Sequence, residues 1–579
     1  MSKEQVSLHS KRHSLSHVLA QAVLDMFPDA SLAIGPDIDN GFYYDFDLPR
    51  TLIPEDLPII EKKMKHIIKQ NQKFESYVEP IDKAIEFLKE TKQGYKVELV
   101  EDLATGGETE VSFYKNGPFV DLCKGPHVES TNKIDLNSFK LDKIAGAYWR
   151  GDEKRPMLQR IYGLAFDNKD ELTNYLFLRK EAEKRDHRKL GKQLDLYSFH
   201  DVGQGFPFIH PKGMVIWNEL IKYWKEVHDR YGYLETKTPI ILNRELWEKS
   251  GHWQNYRENM YTTVIDDVDH AIKPMNCPGG MILYKNDMHS YRELPIKAGE
   301  IGLVHRHELS GVLSGLFRVR SFHQDDSHIF MTVDQIKENI IEVIKIAEEI
   351  YGKFGLDFHL ELSTRPEKSI GTDEQWEAAT NGLREALDEY GKGYDLNEGD
   401  GAFYGPKIDF HIEDALGRTW QCGTIQLDMS LPERFELTYE GADGEKHRPV
   451  MIHRVIYGSV ERFFGIIVEH FAGAFPVWLA PVQVAILPVA DVHEEYANKV
   501  LLDLKESGVR TLLMTAEETL GKRIRTAEKQ RVPYMLVVGD KEVEDKAVTV
   551  RDYKTKEQNP MKTGDFAKQV LKEIQERSL

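Results

Sequence analysis

The sequence predicts a multidomain protein of mixed α/β and α+β class, and three observations support this prediction. The chain has 579 residues, more than one hydrophobic core usually accommodates. Helical and strand-like hydrophobic patterns are mixed over most of its length. From about residue 481 short apolar strands alternate with helical runs, as in a sheet covered by helices. We therefore divide the chain into segments 1–178, 179–194, 195–480 and 481–579.

Composition is that of an ordinary globular protein, with 41% hydrophobic and 30% charged residues. The N-terminus lacks the apolar stretch of a signal peptide, and prolines interrupt the longest apolar run, near Phe475 to Val489. Three dispersed cysteines, at positions 123, 277 and 422, argue against a disulfide framework. These features predict a cytoplasmic protein with no membrane span.

The net charge of −19 argues against a general affinity for nucleic acid. Phosphate binding depends on local patches, however, and residues 179–192 and 522–531 are both basic on balance. Either stretch is also compatible with a solvated helix face. An RNA partner therefore remains open at this point.

Segment 1–178 opens with a helical pattern that places His13 and His17 on one face. Further helices are predicted near residues 55–72 and 81–92. Later strand-like patterns carry Asp121, Cys123 and His127. Such a set could bind zinc, or it could form a metal-free hydrolytic pocket in which imidazoles position a water molecule.

Four helical patterns organise the middle of the chain. A charged connector is predicted over residues 168–192, and a helix from Met214 to Tyr231 precedes a turn at Pro239. Another helix is expected over Val333–Phe354, and the last begins near Gly458.

The stretch from His305 to Met331 concentrates the polar chemistry of the chain. A glycine-rich turn carrying arginines leads into Phe317–Phe322, whose alternation predicts a strand with one polar face. At the expected end of this strand stand Gln324, Asp325, Asp326 and His328. Guanidinium groups bind anions bidentately, whereas carboxylates and imidazole bind cations. The stretch predicts a small anionic ligand beside a metal or an ammonium group; the alternative is an exposed, ion-paired hairpin.

Three further positions offer zinc-capable side chains, Cys277, His328 and His453. They are far apart in the sequence, and spacing alone does not bring them together. Taken singly, each is better explained as a core residue than as a metal ligand.

The order of several motifs resembles class II aminoacyl-tRNA synthetases, and within that class bacterial threonyl-tRNA synthetases. The pattern ending at Pro239 corresponds to motif 1, Arg306 to Phe322 to motif 2, and Gly458 to Arg462 to motif 3. The segments SGHWQNY, KPMNCP, RVRSFHQDDSHIF, AFYGPKIDF, TWQCGTIQLD and VMIHRVIYGS resemble the same family. The match extends from about residue 10 to the C-terminus. It implies an editing domain, a helical linker, an antiparallel-sheet catalytic core and an α/β anticodon-binding domain in the four segments.

The resemblance implies activation of L-threonine with ATP and its transfer to the 3′ end of tRNA(Thr). Cys277, His328 and His453 would then hold one Zn²⁺ that engages the amino and hydroxyl groups of threonine. Binding the hydroxyl is a physically sensible device. Shape alone separates valine from threonine by only about a hundredfold, whereas a hydroxyl-binding site can discriminate by about 10⁴–10⁵.

The remaining roles in the catalytic segment also follow from the resemblance. Asp326 would accept the hydrogen bond of the hydroxyl, with Gln324 and Tyr404 positioning the amino acid. Arg306 would bind the α-phosphate of an ATP accompanied by Mg²⁺. The other implied site residues are Glu308 at the adenine edge, Arg462 and Phe322 on the two adenine faces, Gln421 and Gln426 lining the site, and His252 assisting transfer to tRNA.

Serine keeps the hydroxyl and loses one methyl group, so a second, hydrolytic site against seryl-tRNA(Thr) is expected. By resemblance it contains His13, His17, Lys96, Asp121, Cys123 and His127 and is metal-free, although alanyl synthetases hold zinc with a similar set. Glu542 and Arg551 are candidates for reading anticodon bases, and exposed ion pairing is their alternative. A homodimer is expected because motif 1 usually forms that contact.

The sequence departs from the family at three places. A small ubiquitin-like domain usually precedes the editing domain and is not seen here, which would affect tRNA affinity or editing support. Gly280 stands where a histidine is usual, and His307, Leu309 and His323 replace Asn, Pro and Thr around motif 2. The additional imidazoles suggest activity that depends on pH near neutrality.

Two alternative functions are considered. A synthetase-like paralogue could charge a different acceptor, but it would be expected to lack the anticodon module. A non-catalytic protein could hold a tRNA-like element, but it would be expected to have lost Arg306, Arg462 or a zinc ligand. All of these are present.

Overall fold

The computed structural model describes residues 7–579, which form two compact units dividing between Lys180 and Glu181. Both units combine helices with antiparallel-rich sheets, which confirms the predicted mixed α/β and α+β class. Within residues 7–579, no helix combines the length and the apolar character needed to cross a bilayer.

The first unit contains two antiparallel sheets. Its helices are Leu8–Leu24, Asp56–Lys69, Ile81–Glu90, Gly94–Thr105 and the start of Lys169–Arg185. The five-stranded sheet comprises Ser31–Leu32, Asp37–Ile38, Gly41–Asp47, Phe139–Tyr148 and Met157–Ala165, and the three-stranded sheet Phe74–Pro80, Glu110–Asn116 and Phe119–Leu122.

The first helix is buried along most of its length. Ser7 caps it by accepting a hydrogen bond from the backbone N–H of Ser10 (3.2 Å), and Val18, Leu19 and Val23 are fully buried. The helices predicted near residues 55–72 and 81–92 are confirmed. Helix Gly94–Thr105 was not predicted.

An eight-stranded sheet forms the centre of the second unit, in the order Leu234–Glu235, Ile296–His305, Ser321–Met331, Val450–Val455, Thr419–Asp428, Lys407–Glu413, Asp357–Ser363, Tyr394–Asn397. Pairing is antiparallel except at the two outermost pairs. Its main helices are Pro211–Arg230, Cys277–Lys285, Ile336–Lys353, Asp373–Tyr390 and Val460–His470, with shorter ones at His187–Gln193, Arg244–Lys249, His252–Asn255 and Leu431–Arg434. Three minor sheets are present among the described residues. Tyr197–Ser198 pairs with Phe208–Ile209, Val268–Ile272 pairs with Ile241–Asn243 and Thr262–Ile265, and Tyr439–Glu440 pairs with His289–Ser290 and Lys446–His447.

The helix predicted from Met214 to Tyr231 appears as Pro211–Arg230 and ends before the turn at Pro239. One element boundary differs from the sequence predictions. The strand predicted over Phe317–Phe322 begins only at Ser321 and continues to Met331. The polar residues Gln324, Asp325, Asp326 and His328 therefore lie within the strand and not at its end. They alternate between the two faces of the sheet, and both faces carry hydrogen-bonding partners.

A mixed five-stranded sheet forms the C-terminal module of the second unit. Its order is Thr511–Leu513, Val484–Pro488, Tyr534–Val538, Ala547–Asp552, Gln558–Lys562, and the first three strands are parallel. Helices Glu494–Glu506, Leu520–Lys529, Asp540–Asp545 and Thr563–Glu576 accompany it. In the basic stretch 522–531, Arg523 is buried and donates to the carbonyls of Pro488 (2.7 Å) and Met514 (2.9 Å), so this arginine is structural.

Candidate active site

A cavity of about 580 Å³ opens over the central strands of the eight-stranded sheet. Phe322, Gln324 and Asp326 line it because alternate residues of a strand point to the same face. Other lining residues that the sequence predicted are Cys277, Arg306, Glu308, Tyr404, Gln426, His453 and Arg462. The fold thus brings together segments from across the second unit.

Cys277, His328 and His453 meet in this region, and one donor atom of each lies within 4.8 Å of the others. His328 and His453 are directly paired on neighbouring antiparallel strands, and their ring centroids are 5.0 Å apart. Cys277 approaches from the first position of helix Cys277–Lys285. All three side chains are buried.

This donor set has the chemistry of a zinc site. Nε2 of His328 is buried without a hydrogen-bond partner, and burial lowers the pKa of His328 to about 4, so its imidazole is neutral near pH 7. Burial also raises the pKa of the Cys277 thiol, which the positive charge of a bound metal would reverse. One thiolate and two imidazoles are ligands that Zn²⁺ favours.

Asp428 supports His453 and was not anticipated from the sequence. Its Oδ2 lies 2.9 Å from Nε2 of His453, while Oδ1 accepts the backbone N–H groups of Ser430 (2.8 Å) and Leu431 (2.9 Å). A carboxylate held in this way fixes the orientation of a ligating imidazole.

The polar side chains beside the metal-capable cluster form hydrogen bonds with one another. Oδ2 of Asp326 accepts from Nδ2 of Asn276 at 3.1 Å. The hydroxyl of Tyr404 donates to Oε1 of Gln426, and the Tyr404 ring lies 5.0 Å from that of His453. The arrangement offers acceptors and an aromatic wall to a small polar ligand.

Two arginines line the other part of the cavity. The Arg306 guanidinium lies 5.1 Å from the centre of the Phe322 ring and donates to the carbonyl of Pro274 at 3.2 Å. Nη1 of Arg462 donates to the carbonyl of Phe317 at 3.3 Å, while its buried Nε has no partner. Unpaired guanidinium N–H groups in a cavity favour a phosphate or another anion.

Glu308 lies at the edge of this region, and its Oε2 accepts from Nε of Arg318 at 2.9 Å. A ligand that donates a hydrogen bond to the Glu308 carboxylate would therefore bind alongside Arg318, which already donates to it.

The structure does not bring Gln421 or His252 to the cavity surface. Gln421 is exposed, because strand alternation turns it away from Thr424 and Gln426, which do line the cavity. His252 is fully buried behind Met275: its Nε2 lies 3.1 Å from the Met275 sulfur, and Nδ1 lies 2.8 Å from Oγ of Ser250. Gln421 is therefore not among the cavity-lining residues of this structure, and His252 contacts the cavity-lining Met275 from behind.

Asp325 is the most heavily hydrogen-bonded carboxylate near the site, and no sequence signal marked its role. It accepts from the Trp224 indole (3.1 Å) and from backbone N–H groups of Ile456 (2.9 Å), Tyr457 (3.0 Å) and Gly458 (2.9 Å). Gly458 has φ +78°, and a Cβ there would lie 2.5 Å from the carbonyl of Cys422. Burial raises the pKa of Asp325 to about 6. This carboxylate fixes motif 3 against the strand that carries motif 2.

The family departures lie beside the site. Nδ1 of His323 is 3.0 Å from Oε1 of the buried Glu461, and exposed His307 contacts the Tyr261 ring. At Gly280 a Cβ would lie 3.2 Å from Nδ1 of His328, so glycine leaves space beside this residue.

In the first unit, a second cluster surrounds Cys123. Its Sγ lies 3.3 Å from Nε2 of His13 and 3.2 Å from Nε2 of His127. His127 Nδ1 is 3.1 Å from Oγ of Ser14, which had no predicted role. His17 is buried beside them, with Nδ1 unpartnered.

Asp121 organises the rest of this pocket. Nζ of Lys96 lies 2.7 Å from Oδ1 of Asp121, and the Tyr44 hydroxyl donates to Oδ2 at 2.5 Å. His17 Nε2 is 3.9 Å from the same Oδ2. Lys96, Asp121 and Tyr44 are buried, so the Lys96–Asp121 ion pair is shielded from solvent. All six predicted pocket residues are close together, and Tyr44 is an additional member.

Burial determines the protonation state of this pocket. It lowers the pKa values of His13, His17 and His127, and it raises the pKa of the Cys123 thiol to about 11. Neutral imidazoles and a thiol are therefore present at pH 7, which suits proton transfer to and from water. Donor atoms of the three histidines and Cys123 also lie within 4.8 Å of one another, so both interpretations, metal-free and metal-bound, remain compatible with the geometry.

Cys123 is expected to react with iodoacetamide about 10- to 100-fold more slowly at pH 8 than an unperturbed thiol, because so little thiolate is present. Peptide mass spectrometry against time and pH measures this rate and separates Cys123 from the other two cysteines. Rapid alkylation at pH 8 would show that the thiol is ionised.

Glu542 and Arg551 belong to successive elements of the C-terminal module, helix Asp540–Asp545 and strand Ala547–Asp552. Oε1 of Glu542 accepts from Thr549 (2.7 Å), and strand alternation places Thr549 and Arg551 on one face. Nη2 of Arg551 donates to Oε1 of Glu528 (3.1 Å), while its buried Nε has no partner.

Comparison with known proteins matches three family models to this chain. Residues 261–471 match the tRNA synthetase class II core domain (G, H, P, S and T), residues 483–573 an anticodon binding domain, and residues 111–162 the threonyl and alanyl tRNA synthetase second additional domain.

Full-length relatives and a solved structure agree with these matches. A threonine–tRNA ligase of Acetivibrio thermocellus is 58% identical over 98% of this chain and 88% of its own length. One from Clostridium botulinum strain Kyoto is 57% identical over 100% of this chain and 90% of its own. The RNA binding domain of threonyl-tRNA synthetase from Cryptosporidium parvum has a TM-score of 0.65 and 42% identity, covering 67% of this chain and 98% of that domain.

Proposed function

The chain belongs to the threonine–tRNA ligase family of class II aminoacyl-tRNA synthetases, and from this premise we propose how its residues act. Its substrates are ATP with Mg²⁺, L-threonine and tRNA(Thr), to whose 3′ end the amino acid is transferred. Its first unit hydrolyses seryl-tRNA(Thr). We assign editing to residues 1–178, linkage to 179–194, catalysis to 195–480 and anticodon binding to 481–579.

Threonine recognition is proposed to rest on Cys277, His328 and His453, which would hold Zn²⁺. A bound Zn²⁺ offers open coordination positions that an amino and a hydroxyl group can fill. The unpartnered buried nitrogen of His328 supports this assignment, because a buried polar atom without a partner is costly. Asp428 keeps the His453 ring in place.

The remaining contacts to threonine come from side chains around this cluster. Asp326, already held by Asn276, would accept the hydrogen bond of the substrate hydroxyl. Gln324 would contact the amino acid backbone, and the Tyr404–Gln426 pair would close the pocket on the other side. A valine side chain would leave Asp326 without a donor, which is the basis of discrimination.

Activation joins the threonine carboxylate to the α-phosphorus of ATP as the bond to pyrophosphate breaks. Arg306 would stabilise the charge on the α-phosphate, and Mg²⁺ would accompany the leaving pyrophosphate. Phe322 and Arg462 would enclose the adenine ring, with Glu308 at its edge. Both arginines line the cavity, which supports these roles.

Editing is proposed to use the neutral imidazoles around Cys123 to position and deprotonate a water molecule. This water attacks the carbonyl carbon of the seryl ester, whose bond to the ribose oxygen breaks to release serine and the protonated 3′-terminal hydroxyl of the tRNA. The Lys96–Asp121 pair would orient the misacylated end of the tRNA. His13, His17 and His127 would supply the polar surface around that water. We propose that this pocket acts without a bound metal ion.

Two further proposals concern assembly and tRNA binding. Leu234, Ile241 and Val264 follow the motif 1 helix and are 65%, 46% and 63% exposed, which fits a homodimer contact there. Glu542 and Arg551 would contact anticodon bases. The dispersed cysteines support a cytoplasmic location.

The meeting of Cys277, His328 and His453 beside two cavity arginines carries the proposal. Pyrophosphate exchange with a panel of amino acids, followed by charging of bulk tRNA, tests it. Exchange that depends on threonine, together with charging, is expected. Exchange without charging would favour a paralogue with another acceptor, and no exchange would favour a non-catalytic RNA-binding protein.

A further inference from the structure

A buried histidine outside the cavity holds the loop between the two strands that carry motif 2. This motif 2 loop comprises residues 306–320 and joins strands Ile296–His305 and Ser321–Met331. His187, at the start of helix His187–Gln193, is only 2% exposed, and its Nε2 lies 3.0 Å from the backbone N–H of Leu316.

The partners of His187 fix which ring nitrogen carries the proton. Nδ1 lies 2.7 Å from Oε1 of Glu469, a carboxylate that can only accept, so Nδ1 donates. Nε2 is therefore the acceptor for Leu316. The same Glu469 oxygen accepts the backbone N–H of His187 (3.0 Å), and its other oxygen accepts from Nη2 of Arg418 (2.6 Å).

The loop is shaped around this ring. Gly315 has φ +50°, and a Cβ there would lie 2.2 Å from Nε2 of His187. The Phe317 ring lies 4.0 Å from the His187 ring and 4.5 Å from Trp420. The residues on both sides of Leu316, Gly315 and Phe317, therefore also pack against the His187 ring.

Phe317 links this arrangement to the cavity. It lines the cavity, and its carbonyl accepts from Nη1 of Arg462 at 3.3 Å. A shift of the Leu316 backbone would move Phe317 and remove the partner that orients Arg462. The amino acid side of the cavity, at Cys277 and Asp326, has no direct contact with His187 among the described residues.

We propose that His187 is a positioning residue for the nucleotide side of the active site, acting through Leu316 and Phe317 on Arg462. The inference rests on the proposed adenylation activity. It assigns to the connector segment a part in ATP binding that is separate from threonine recognition.

The test compares two amide variants in the full-length chain. His187→Gln places an amide oxygen near the position of Nε2, where it can accept from Leu316. His187→Asn places an amide group near Nδ1, where it can donate to Glu469 but does not reach Leu316. Pyrophosphate exchange gives the KM for ATP and for threonine separately.

We expect His187→Asn and His187→Ala to raise the KM for ATP about tenfold, with the KM for threonine changed less than twofold and zinc content unchanged. His187→Gln should return the KM for ATP to within about threefold of the unmodified protein. If His187→Ala does not fold, the comparison of His187→Gln with His187→Asn still tests the inference. Equal values for Gln and Asn, or equal increases in both KM values, would overturn the inference, whereas absence of exchange in the unmodified protein would overturn the proposed activity itself.

Discussion

Replacing Cys277 with serine is expected to abolish binding of the proposed Zn²⁺ and to lower kcat/KM for threonine activation by at least about 10³-fold. The physical reason is that an alcohol is a much weaker zinc ligand than a thiolate, and two imidazoles alone do not retain the ion. Residual discrimination between threonine and valine should fall from about 10⁴–10⁵ to about 10², the value that shape alone provides. Metal analysis and pyrophosphate exchange with both amino acids measure these effects.

Cys422 offers a matched control for this experiment. It is buried and lines the same cavity, but it is not part of the three-residue cluster. Cys422→Ser should keep full zinc content and threonine preference. A Cys277→Ser protein that retains the threonine-to-valine ratio of the unmodified chain would show that amino acid discrimination lies elsewhere.

Changing His13 to alanine is expected to slow hydrolysis of seryl-tRNA(Thr) by about 10²–10³-fold, the usual contribution of a general acid or base. Its Nε2 contacts the Cys123 thiol at 3.3 Å, and burial lowers the pKa of His13, so the imidazole is neutral at pH 7. Threonine activation should not change, because the cavity that performs it belongs to the other compact unit. Deacylation of preformed seryl-tRNA and accumulation of serine on tRNA are the two measurements.

His9 provides the control for the editing variant. It lies one turn earlier on the same helix, with a side chain that is 53% exposed and paired with Asp37. His9→Ala should edit normally. If His13→Ala hydrolyses seryl-tRNA as fast as the unmodified protein, the proposed editing pocket is misplaced.

The sequence predicted long amphipathic elements well, because their periodicity is a local property. The helix expected over Val333–Phe354 appears as Ile336–Lys353, and that expected over residues 55–72 as Asp56–Lys69. Helix Gly94–Thr105, which carries Lys96, was missed for two reasons: its apolar stripe is short, and no side chain caps the N-terminus of the helix.

Residues that act through long-range contacts could not be found in the same way. Asp325 has no local pattern that separates it from Asp326, and its role depends on backbone groups of Ile456 to Gly458 that only the folded sheet brings near. The three metal-capable residues were united by family resemblance, not by spacing. The exposed position of Gln421 was not predicted, because a motif gives residue identity but not the face of the strand.

His328 and His453 stand opposite each other in the register of two adjacent strands, so their mutual distance is set by hydrogen bonds of the main chain. Sliding either strand by one residue would send one imidazole to the far side of the sheet. We therefore expect insertions or deletions within these strands to abolish the selectivity for threonine even where the fold survives.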